Sequence, residues 1–190
     1  MKRMEEMILT HGKVLPGGIL KVGSFLNQQI DTRFLQEIGA EIARLYAGCG
    51  VTKILTVEAS GIAIAVAAGL QMEVPVVFAK KHKTSNVDGD TYSSITHSFT
   101  HGEDYNMVVS RDYLTSEDRI LLVDDFLANG SAIKSLADLC RQAGAEVAGA
   151  AIAIEKGFQM GGDALRCAGY RVESLAIIDA MTDEGIRFRA

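Results

Sequence analysis

Residues 120–132 read Ile-Leu-Leu-Val-Asp-Asp-Phe-Leu-Ala-Asn-Gly-Ser-Ala, and this one segment already indicates the class of fold. Its four leading residues are apolar and predict a buried strand that ends in two acids. A short loop with one glycine follows, and helical spacing of apolar residues begins at residue 132. In open parallel sheets, ligands bind beyond the carboxyl ends of the strands. The order of strand, acid pair, loop and helix therefore predicts a binding site in this segment.

The rest of the chain repeats the alternation of apolar runs with helical segments. Apolar runs of strand length lie at residues 53–58, 74–79, 106–110, 119–123, 147–154 and 170–177, and helical spacing lies at 31–48, 60–72 and 132–143. Asp31 precedes the first of these helices and is its expected N-cap. Short strands that alternate with helices predict βαβ units. We therefore expect an α/β fold with a mostly parallel sheet flanked by helices, in one domain over residues 1–190.

Two segments interrupt this alternation. Residues 12–30 carry short apolar stretches and glycines ahead of the main helix, and they predict a small N-terminal cap or hood. Residues 82–104 are polar and rich in Ser, Thr, Gly and Asp. A polar segment of that length inside a compact domain is usually a lid or a mobile hairpin, so we expect a flexible lid hairpin there.

Composition limits the partners and the compartment of the protein. The chain has 190 residues and a net charge of −5, without the basic character of broad nucleic-acid binders, so we expect no nucleic-acid partner. The start of the chain carries no signal-peptide pattern, and the longest apolar run, 61–70, is too short to span a bilayer. Cys49, Cys140 and Cys167 form no C-x-x-C pair, which is typical of thiols in a reducing compartment. We expect a cytoplasmic protein with no membrane partner.

The loop at residues 128–132 has the features of an anion site. Successive backbone amides and the positive end of the following helix suit a phosphate, and Gly130 lets the backbone approach closely. Asp124 and Asp125, as neighbours in a strand, point to opposite faces. At least one of them must face the cleft, where it could hold ribose hydroxyls, a magnesium shell or a developing positive charge.

The same segment is compatible with other interpretations. Paired acids after a strand can simply be polar residues that begin a loop, although the glycine loop and helix that follow make this less favourable. A nucleotide triphosphatase would need a G-x-x-x-x-G-K-[ST] loop, and a dinucleotide-binding fold would need G-x-G-x-x-G. Neither motif occurs in the sequence, so both of these classes are excluded.

Residues 123–132 resemble the phosphoribosyl pyrophosphate motif of the type I phosphoribosyltransferases, which is an apolar strand, two acids, an apolar pair and a small, Thr- and Gly-rich loop. The sequence departs from the motif at Asn129 and Ala132, where the family usually has threonine; Asn129 and Ser131 are the candidates to assist the loop amides. Residues 21–27 (Lys-Val-Gly-Ser-Phe-Leu-Asn) and 154–156 (Ile-Glu-Lys) extend the similarity nearly end to end, toward the members that act on xanthine.

This resemblance implies an activity, partners and site residues. It implies transfer of ribose 5-phosphate from phosphoribosyl pyrophosphate to xanthine by a homodimer, with Mg²⁺ arriving on the pyrophosphate group. It places donor binding at Ala128, Asn129, Gly130, Ser131 and Ala132, and base binding at Leu20, Asn27 and Lys156. The same chemistry on hypoxanthine, guanine or adenine is an alternative. Another is a donor-sensing transcriptional regulator, which would need a DNA-binding element in this acidic chain.

A second strand-to-helix turn and a basic run offer further donor contacts. Ser60 and Gly61 open a helix after the strand at 53–58, and the equivalent loop of the family seats the pyrophosphate. The alternative is an ordinary turn capped by Ser60. Residues 80–83 (Lys-Lys-His-Lys) could neutralise the same pyrophosphate, with Lys81 as our choice, or form a solvated surface.

Three more side chains have two interpretations each. His97 and His101 have a helical metal-ligand spacing, with Glu103 as a third group, but their segment has the character of a lid and we expect no protein metal site. Lys156 is either a strand-end charge or a donor to a carbonyl of the base. Phe158 could stack on the base or be an exposed loop aromatic.

Overall fold

The computed structural model describes residues 1–82, 90–97, 104–182 and 185–189, which form a mixed sheet with helices packed on it. The helices of this part of the chain are α1 (Lys2–His11), α2 (Thr32–Leu45), α3 (Ser60–Met72), α4 (Ser131–Ala143) and α5 (Gly161–Cys167). Its strands are β1 (Lys13–Leu15), β2 (Ile19–Lys21), β3 (Lys53–Val57), β4 (Val76–His82), β5 (Thr91–His97), β6 (Asp104–Ser110), β7 (Arg119–Leu127), β8 (Glu146–Lys156), β9 (Val172–Thr182) and β10 (Gly185–Phe188).

The main sheet has eight strands in the order β10-β9-β8-β7-β3-β4-β6-β5. Strands β9, β8, β7, β3 and β4 are parallel to one another, whereas β10 at one edge and β6 and β5 at the other are antiparallel to their neighbours. The predicted α/β class with a mostly parallel sheet is confirmed. Alternate residues of β7 enter two different apolar clusters, one on each face of the sheet.

Strand β7 is longer than its apolar pattern predicts. The predicted strand stops at residue 123, but β7 runs to Leu127 because its parallel ladder with β8 continues as far as the pairing of Leu127 with Glu155. Asp124 and Asp125 therefore lie inside the end of the strand and not after it. The sheet holds the backbone of both acids, which fixes the directions of their side chains.

Helix α2 follows the predicted pattern closely. The Asp31 carboxylate caps it by accepting hydrogen bonds from the backbone N–H groups of Arg33 and Phe34, both at 3.1 Å. Phe34, Ile38 and Ile42 form its buried face, and burying such a side chain contributes about 1.5–3 kcal/mol. The helix ends at Leu45, three residues short of the predicted end at residue 48.

Helix α3 is apolar nearly all round, and this pattern predicts burial between layers. The helix packs against α2 and the sheet through residues such as Ile64 and Ala68. Its outer stripe differs from the prediction, because Val66 is 44% exposed and Leu70 is 74% exposed. Phe78 of the adjacent strand β4 is also 42% exposed, so α3 and β4 present an apolar surface.

The predicted hood at residues 12–30 contains a small hairpin and a helical turn. Strands β1 and β2 pair in a small antiparallel hairpin, and a π-helical turn at Gly23–Asn27 follows. Leu20, Phe25 and Leu26 are buried against the main core. Helix α1 packs beside them through Met4, Met7 and Ile8. We did not predict this helix, although the i, i+3, i+4 spacing of these three residues indicates one.

The segment at 82–104 is more regular than its polar composition predicts. Residues 91–97 form strand β5, which pairs with β6 along its whole length, and Thr96 is buried. Threonine, tyrosine and isoleucine favour strands, so this part of the predicted hairpin is a regular strand. Residues 83–89 and 98–103 lie outside the described residues, and motion of the hairpin stays a prediction. Within the part of the chain described here, no helix is long and apolar enough to cross a bilayer.

Candidate active site

The loop between β7 and α4 contains the residues expected to bind a phosphate. Gly130 has φ 83°, in the left-handed region, and directly precedes the first residue of α4. The Asn129 side-chain oxygen accepts a hydrogen bond from the Ser131 backbone N–H at 3.0 Å, so this carboxamide shapes the turn from within. The helix begins at Ser131, one residue earlier than expected, and its N-terminus directs positive partial charge toward the cleft.

Helix α5 supports this loop from behind, and the sequence analysis missed it. The Gly161 N–H donates to the Ala128 carbonyl at 3.1 Å. A Cβ at residue 161 would lie 2.2 Å from that carbonyl oxygen and 2.6 Å from the Gly130 nitrogen, so only glycine permits the contact. The helix has seven residues and two leading glycines, which is too short a pattern to be recognised by periodicity.

The two acids of β7 are largely buried and meet each other. Asp124 is 6% and Asp125 7% exposed, and the Asp125 backbone N–H donates to the Asp124 carboxylate at 2.9 Å. Burial raises the pKa of Asp124 well above its ordinary value; the negative charge of Asp125 adds to this, and the positive charge of Lys81 opposes it. Asp124 therefore retains its proton at a pH at which an exposed aspartic acid is ionised.

The hood places Asn27, which is expected to bind the base, in contact with this acid pair. The Asn27 side-chain amide donates to the Asp125 carboxylate at 3.2 Å, across 98 residues of sequence. Leu20 lies deeper, buried in the apolar core of the hood. The structure thus brings Asn27 and Asp125 together directly and places Leu20 in the buried part of the same hood.

Lys156 reaches the hood from the other side, at the end of β8. Its ammonium donates to the Gly18 carbonyl in the β1–β2 turn at 3.1 Å and lies 5.7 Å from the centre of the Phe126 ring. Burial lowers the pKa of Lys156. Phe158 lies beside the same turn, since a Cβ at Gly18 would be 3.6 Å from its ring, and it is partly exposed. Lys156 and Phe158 therefore both lie against the β1–β2 turn of the hood.

The second strand-to-helix turn lies next to Asp124. A Cβ at Gly61 would be 2.2 Å from the Thr56 hydroxyl and 3.3 Å from the Asp124 carboxylate, so glycine lets α3 begin close to the acid. Ser60 is the first residue of α3, and Ala59 occupies the N-cap position without a side-chain cap. The interpretation of this turn as one capped by Ser60 is therefore wrong.

Lys81 lies at the same end of the sheet, on β4. Its backbone N–H donates to the Glu58 carboxylate at 2.6 Å, and its ammonium lies 5.2 Å from the centre of the Tyr105 ring. The Tyr105 hydroxyl is hydrogen-bonded to Thr96. The Thr96 hydroxyl in turn donates to the Ser135 hydroxyl of α4 at 2.7 Å. The β5–β6 hairpin, which carries Tyr105, is thus hydrogen-bonded to α4, the helix that follows the loop at 128–132.

The described residues also bear on the candidate metal ligands. His101, Glu103 and Lys83 lie outside the described residues, as does the side chain of His97, so that histidine pair stays untested. Among the residues that the structure describes, no group of three histidine, cysteine, aspartate or glutamate side chains could hold a metal ion. The acid pair of β7 supplies two carboxylates, and Mg²⁺ prefers oxygen ligands of this kind.

Comparison with known proteins defines the class. A family model described as a phosphoribosyl transferase domain matches residues 27–161, and the chain belongs to this family. Xanthine phosphoribosyltransferase 2 of Clostridium botulinum (strain Langeland / NCTC 10281 / Type F) is 51% identical over 190 residues, which are 100% of both chains. Xanthine phosphoribosyltransferase of Bifidobacterium longum (strain NCC 2705) is 51% identical over 185 residues, which are 97% of this chain and 96% of that protein.

Solved structures with the same fold are more distant in sequence. Adenine phosphoribosyltransferase of Trypanosoma brucei superimposes with a TM-score of 0.78 at 17% identity, covering 96% of this chain and 82% of that one. The Giardia lamblia enzyme complexed with 9-deazaadenine gives 0.76 at 18% identity, covering 92% and 96%. These two comparisons concern the fold alone. The predicted membership of the phosphoribosyltransferase family is confirmed.

Proposed function

We propose that this chain transfers ribose 5-phosphate from phosphoribosyl pyrophosphate to xanthine, which forms xanthosine 5′-monophosphate and pyrophosphate. The observation that carries the proposal is the convergence of three elements on the acid pair of β7: the loop at 128–132, the turn at 60–61 and Asn27 of the hood. The choice of base is supported by relatives named xanthine phosphoribosyltransferase that are about half identical over the whole chain.

The proposed reaction is a displacement at the anomeric carbon of the ribose. A nitrogen of the imidazole ring of the base forms a bond to that carbon, while the bond from the carbon to pyrophosphate breaks. Pyrophosphate leaves with the electron pair, and the proton of the base nitrogen is released to solvent water. Positive charge develops on the sugar in the transition state, so negative charge on the acid pair of Asp124 and Asp125 favours it, and the remaining catalysis is positioning.

The two anion sites divide the donor between them. The backbone of residues 128–132 and the N-terminus of α4 receive the 5′-phosphate, with Asn129 and Ser131 shaping the turn. The N-terminus of α3 at Ser60 and Gly61 receives the pyrophosphate, and Lys81 supplies positive charge. Asp124, which lies near Gly61, faces the donor, and Asp125, which binds Asn27, faces the base.

The base lies under the hood in this proposal. The Lys156 ammonium already donates to a carbonyl oxygen, that of Gly18, and a carbonyl of xanthine is the same kind of acceptor. The Asn27 amide offers a second donor for the other carbonyl, and Leu20 contributes to the apolar lining. Polar partners of this kind sort purines, because a site built for a hydrogen bond penalises a base that lacks it.

Magnesium belongs to the substrate in this proposal. The described residues bring two carboxylates together at β7, which fits an ion whose other oxygen ligands come from pyrophosphate and ribose. Bound there, Mg²⁺ would neutralise charge on the leaving group. Removing the metal with a chelator is expected to abolish turnover while leaving the fold intact.

A homodimer in the cytoplasm is the proposed form of the enzyme. The apolar surface of α3 and β4 supports association, since Val66, Leu70 and Phe78 are all more than 40% exposed and lie on neighbouring elements. Light scattering coupled to gel filtration would test this, with Leu70→Asp expected to shift the protein toward the monomer. A wild-type protein that elutes as a monomer at micromolar concentration would contradict the proposed dimer.

A panel of four bases tests the proposed reaction. Xanthine, hypoxanthine, guanine and adenine are each supplied with phosphoribosyl pyrophosphate and magnesium, and nucleotide formation is measured. We expect xanthine to give the highest kcat/KM. A preference for another oxopurine would move the assignment to that base, and no turnover with any base would argue for a protein that only binds the donor.

A further inference from the structure

The loop at 128–132, which we propose binds the 5′-phosphate, is called the phosphate loop. The first turn of α5 lies between this loop and the buried carboxylate of Glu155 on β8. On one side, Gly161 donates its N–H to the Ala128 carbonyl of the loop at 3.1 Å. On the other side, a Cβ at Gly162 would be 2.0 Å from a carboxylate oxygen of Glu155, so the helix backbone lies directly against that side chain. Any displacement of Glu155 would therefore reach the loop through one turn of helix.

Glu155 is fully buried and is held by two residues. Arg166 of α5 donates from its two terminal nitrogens to the two carboxylate oxygens of Glu155, at 2.9 and 2.7 Å. The Ser174 hydroxyl of β9 donates to the second of these oxygens. A two-pronged arginine–carboxylate contact fixes direction as well as distance, because both groups are planar. The pair consequently sets how α5 sits on the end of β8.

Helix α5 needs such an anchor. It has seven residues, and helices of that length are unstable without tertiary contacts. Leu165, next to Arg166, also abuts the loop, since a Cβ at Gly130 would be 3.4 Å from its side chain. Through the sheet, Glu155 pairs with Leu127, the last residue of β7 before the loop. The backbone of Glu155 thus pairs with the residue that precedes the loop, and its side chain contacts the helical turn that supports the loop.

We propose that the Glu155–Arg166 ion pair is a positioning pair for the donor: it holds α5 against residues 128–131 and so sets the loop amides for the 5′-phosphate. Neither residue touches the substrate in this role. The inference rests on the proposed function, because it assumes that the loop binds the 5′-phosphate. A loop that is held in place before binding loses less conformational freedom when the phosphate arrives.

Ribose 5-phosphate and pyrophosphate, titrated separately by calorimetry, test the role of the pair. We expect Arg166→Met to weaken binding of ribose 5-phosphate about tenfold and to leave binding of pyrophosphate within twofold. Arg166→Lys should recover part of the loss, because lysine keeps the charge opposite Glu155 but not the two-pronged contact. Arg141→Met is the matched control, since Arg141 makes an exposed ion pair with Asp138 on α4. We expect it to bind both ligands as the wild type does.

Two outcomes would overturn this role for the pair. One is unchanged affinity for ribose 5-phosphate in folded Arg166→Met; the other is an equal loss of affinity for both ligands, which would indicate general loosening of the fold. If Arg166→Met does not fold, Arg166→Lys decides the question, because lysine leaves no unpaired buried charge. Unchanged affinity of Arg166→Lys for ribose 5-phosphate would then overturn the role. A wild-type protein that does not bind ribose 5-phosphate would instead overturn the proposed function itself.

Discussion

Asp124 and Asp125 are adjacent in β7 but meet different neighbours. Asp124 lies close to Gly61 and within the influence of the Lys81 charge, whereas Asp125 binds the Asn27 amide. Alternation along the strand directs the two side chains to different neighbours, while the two carboxyl groups stay close enough for the charge of Asp125 to raise the pKa of Asp124. One acid therefore belongs to the side of the cleft where we place the donor, and the other to the side of the base.

Replacing either acid is expected to affect turnover more than folding. Asp124→Asn and Asp125→Asn should both fold, because asparagine has nearly the same shape as aspartate. At least one of them should lower kcat by tenfold or more, which corresponds to about 1.4 kcal/mol of transition-state stabilisation. Steady-state kinetics with circular dichroism as the folding control would test this, and wild-type rates in both variants would remove the acids from the proposed mechanism.

The raised pKa of Asp124 leads to a prediction about stability. Above the pKa of the unfolded chain, the unfolded state has lost this proton while the folded state retains it, so ionisation of Asp124 lowers stability as pH rises toward the folded pKa. In Asp124→Asn the side chain at this position does not ionise, so this loss of stability with rising pH is absent. The melting temperature of Asp124→Asn relative to wild type should therefore increase between pH 4 and neutral pH, and a difference that is constant with pH would contradict the assignment.

Lys156 and Asn27 are expected to act differently on specificity. Hypoxanthine, guanine and xanthine share the carbonyl proposed for Lys156, so Lys156→Ala should weaken the use of all three. Asn27→Ala should reduce mainly the preference for xanthine over hypoxanthine, which lacks the second carbonyl. Each loss should be about 1–3 kcal/mol, the cost of leaving a buried polar group unpaired. The ratio of kcat/KM values for the two bases measures this, and an unchanged ratio in Asn27→Ala would refute the role given to that residue.

Among the elements, the β5–β6 hairpin connects the lid segment to the helix of the phosphate loop. The hydrogen bond between Thr96 and Ser135 is buried, and Gln142 of α4 also donates to the Ser93 carbonyl at 2.7 Å. Tyr105, on the other strand of the hairpin, lies under the Lys81 ammonium. Strand β5 is therefore anchored on α4 at several points, which limits how far this strand could move.

The lid prediction can be tested at the same level. Residues 84–104 lack apolar periodicity, so limited proteolysis of the free protein is expected to cut there first, and phosphoribosyl pyrophosphate to slow the cut. Hydrogen exchange of the amides at 91–97 is expected to remain slow in both states because of the contacts with α4. First cleavage outside 84–104, or a cutting rate that the donor does not change, would argue against a lid.

At the level of the whole molecule, one sheet joins two apolar clusters. Phe34, Ile38 and the hood residues pack on one face, while Ile133 and Leu136 of α4 pack on the other. Because β7 contributes to both clusters, loss of packing on one face exposes the strand that supports the other. This shared sheet supports the proposed single domain over residues 1–190.

A single cooperative unfolding transition is the corresponding prediction. Calorimetric and van't Hoff enthalpies of the protein should agree, and circular dichroism in the far and near ultraviolet should give the same midpoint. Dissociation of the proposed dimer is separated from unfolding by repeating the melt at several protein concentrations. Two resolved transitions at constant oligomeric state would divide the chain into more than one domain.

Local patterns were sufficient for the fold class and for much of the site. Strand and helix periods are properties of neighbouring residues, so the segment at 120–132 indicates the strand, loop and helix without knowledge of the rest of the chain. The Asp31 cap was predictable for the same reason, because it contacts residues two and three positions away. Resemblance to a family added the residues proposed to bind the base, which no period or cap would indicate.

Contacts between distant segments required the folded chain. The approach of Asn27 to Asp125 spans 98 residues, and that of Lys156 to Gly18 spans 138. The extension of β7 to Leu127 depends on its partner β8, and the support of the phosphate loop by α5 depends on glycines that fit only against a particular surface. Nothing local specifies these pairings, because they arise when packing of the two faces of the sheet brings the hood, β8 and α5 to the end of β7.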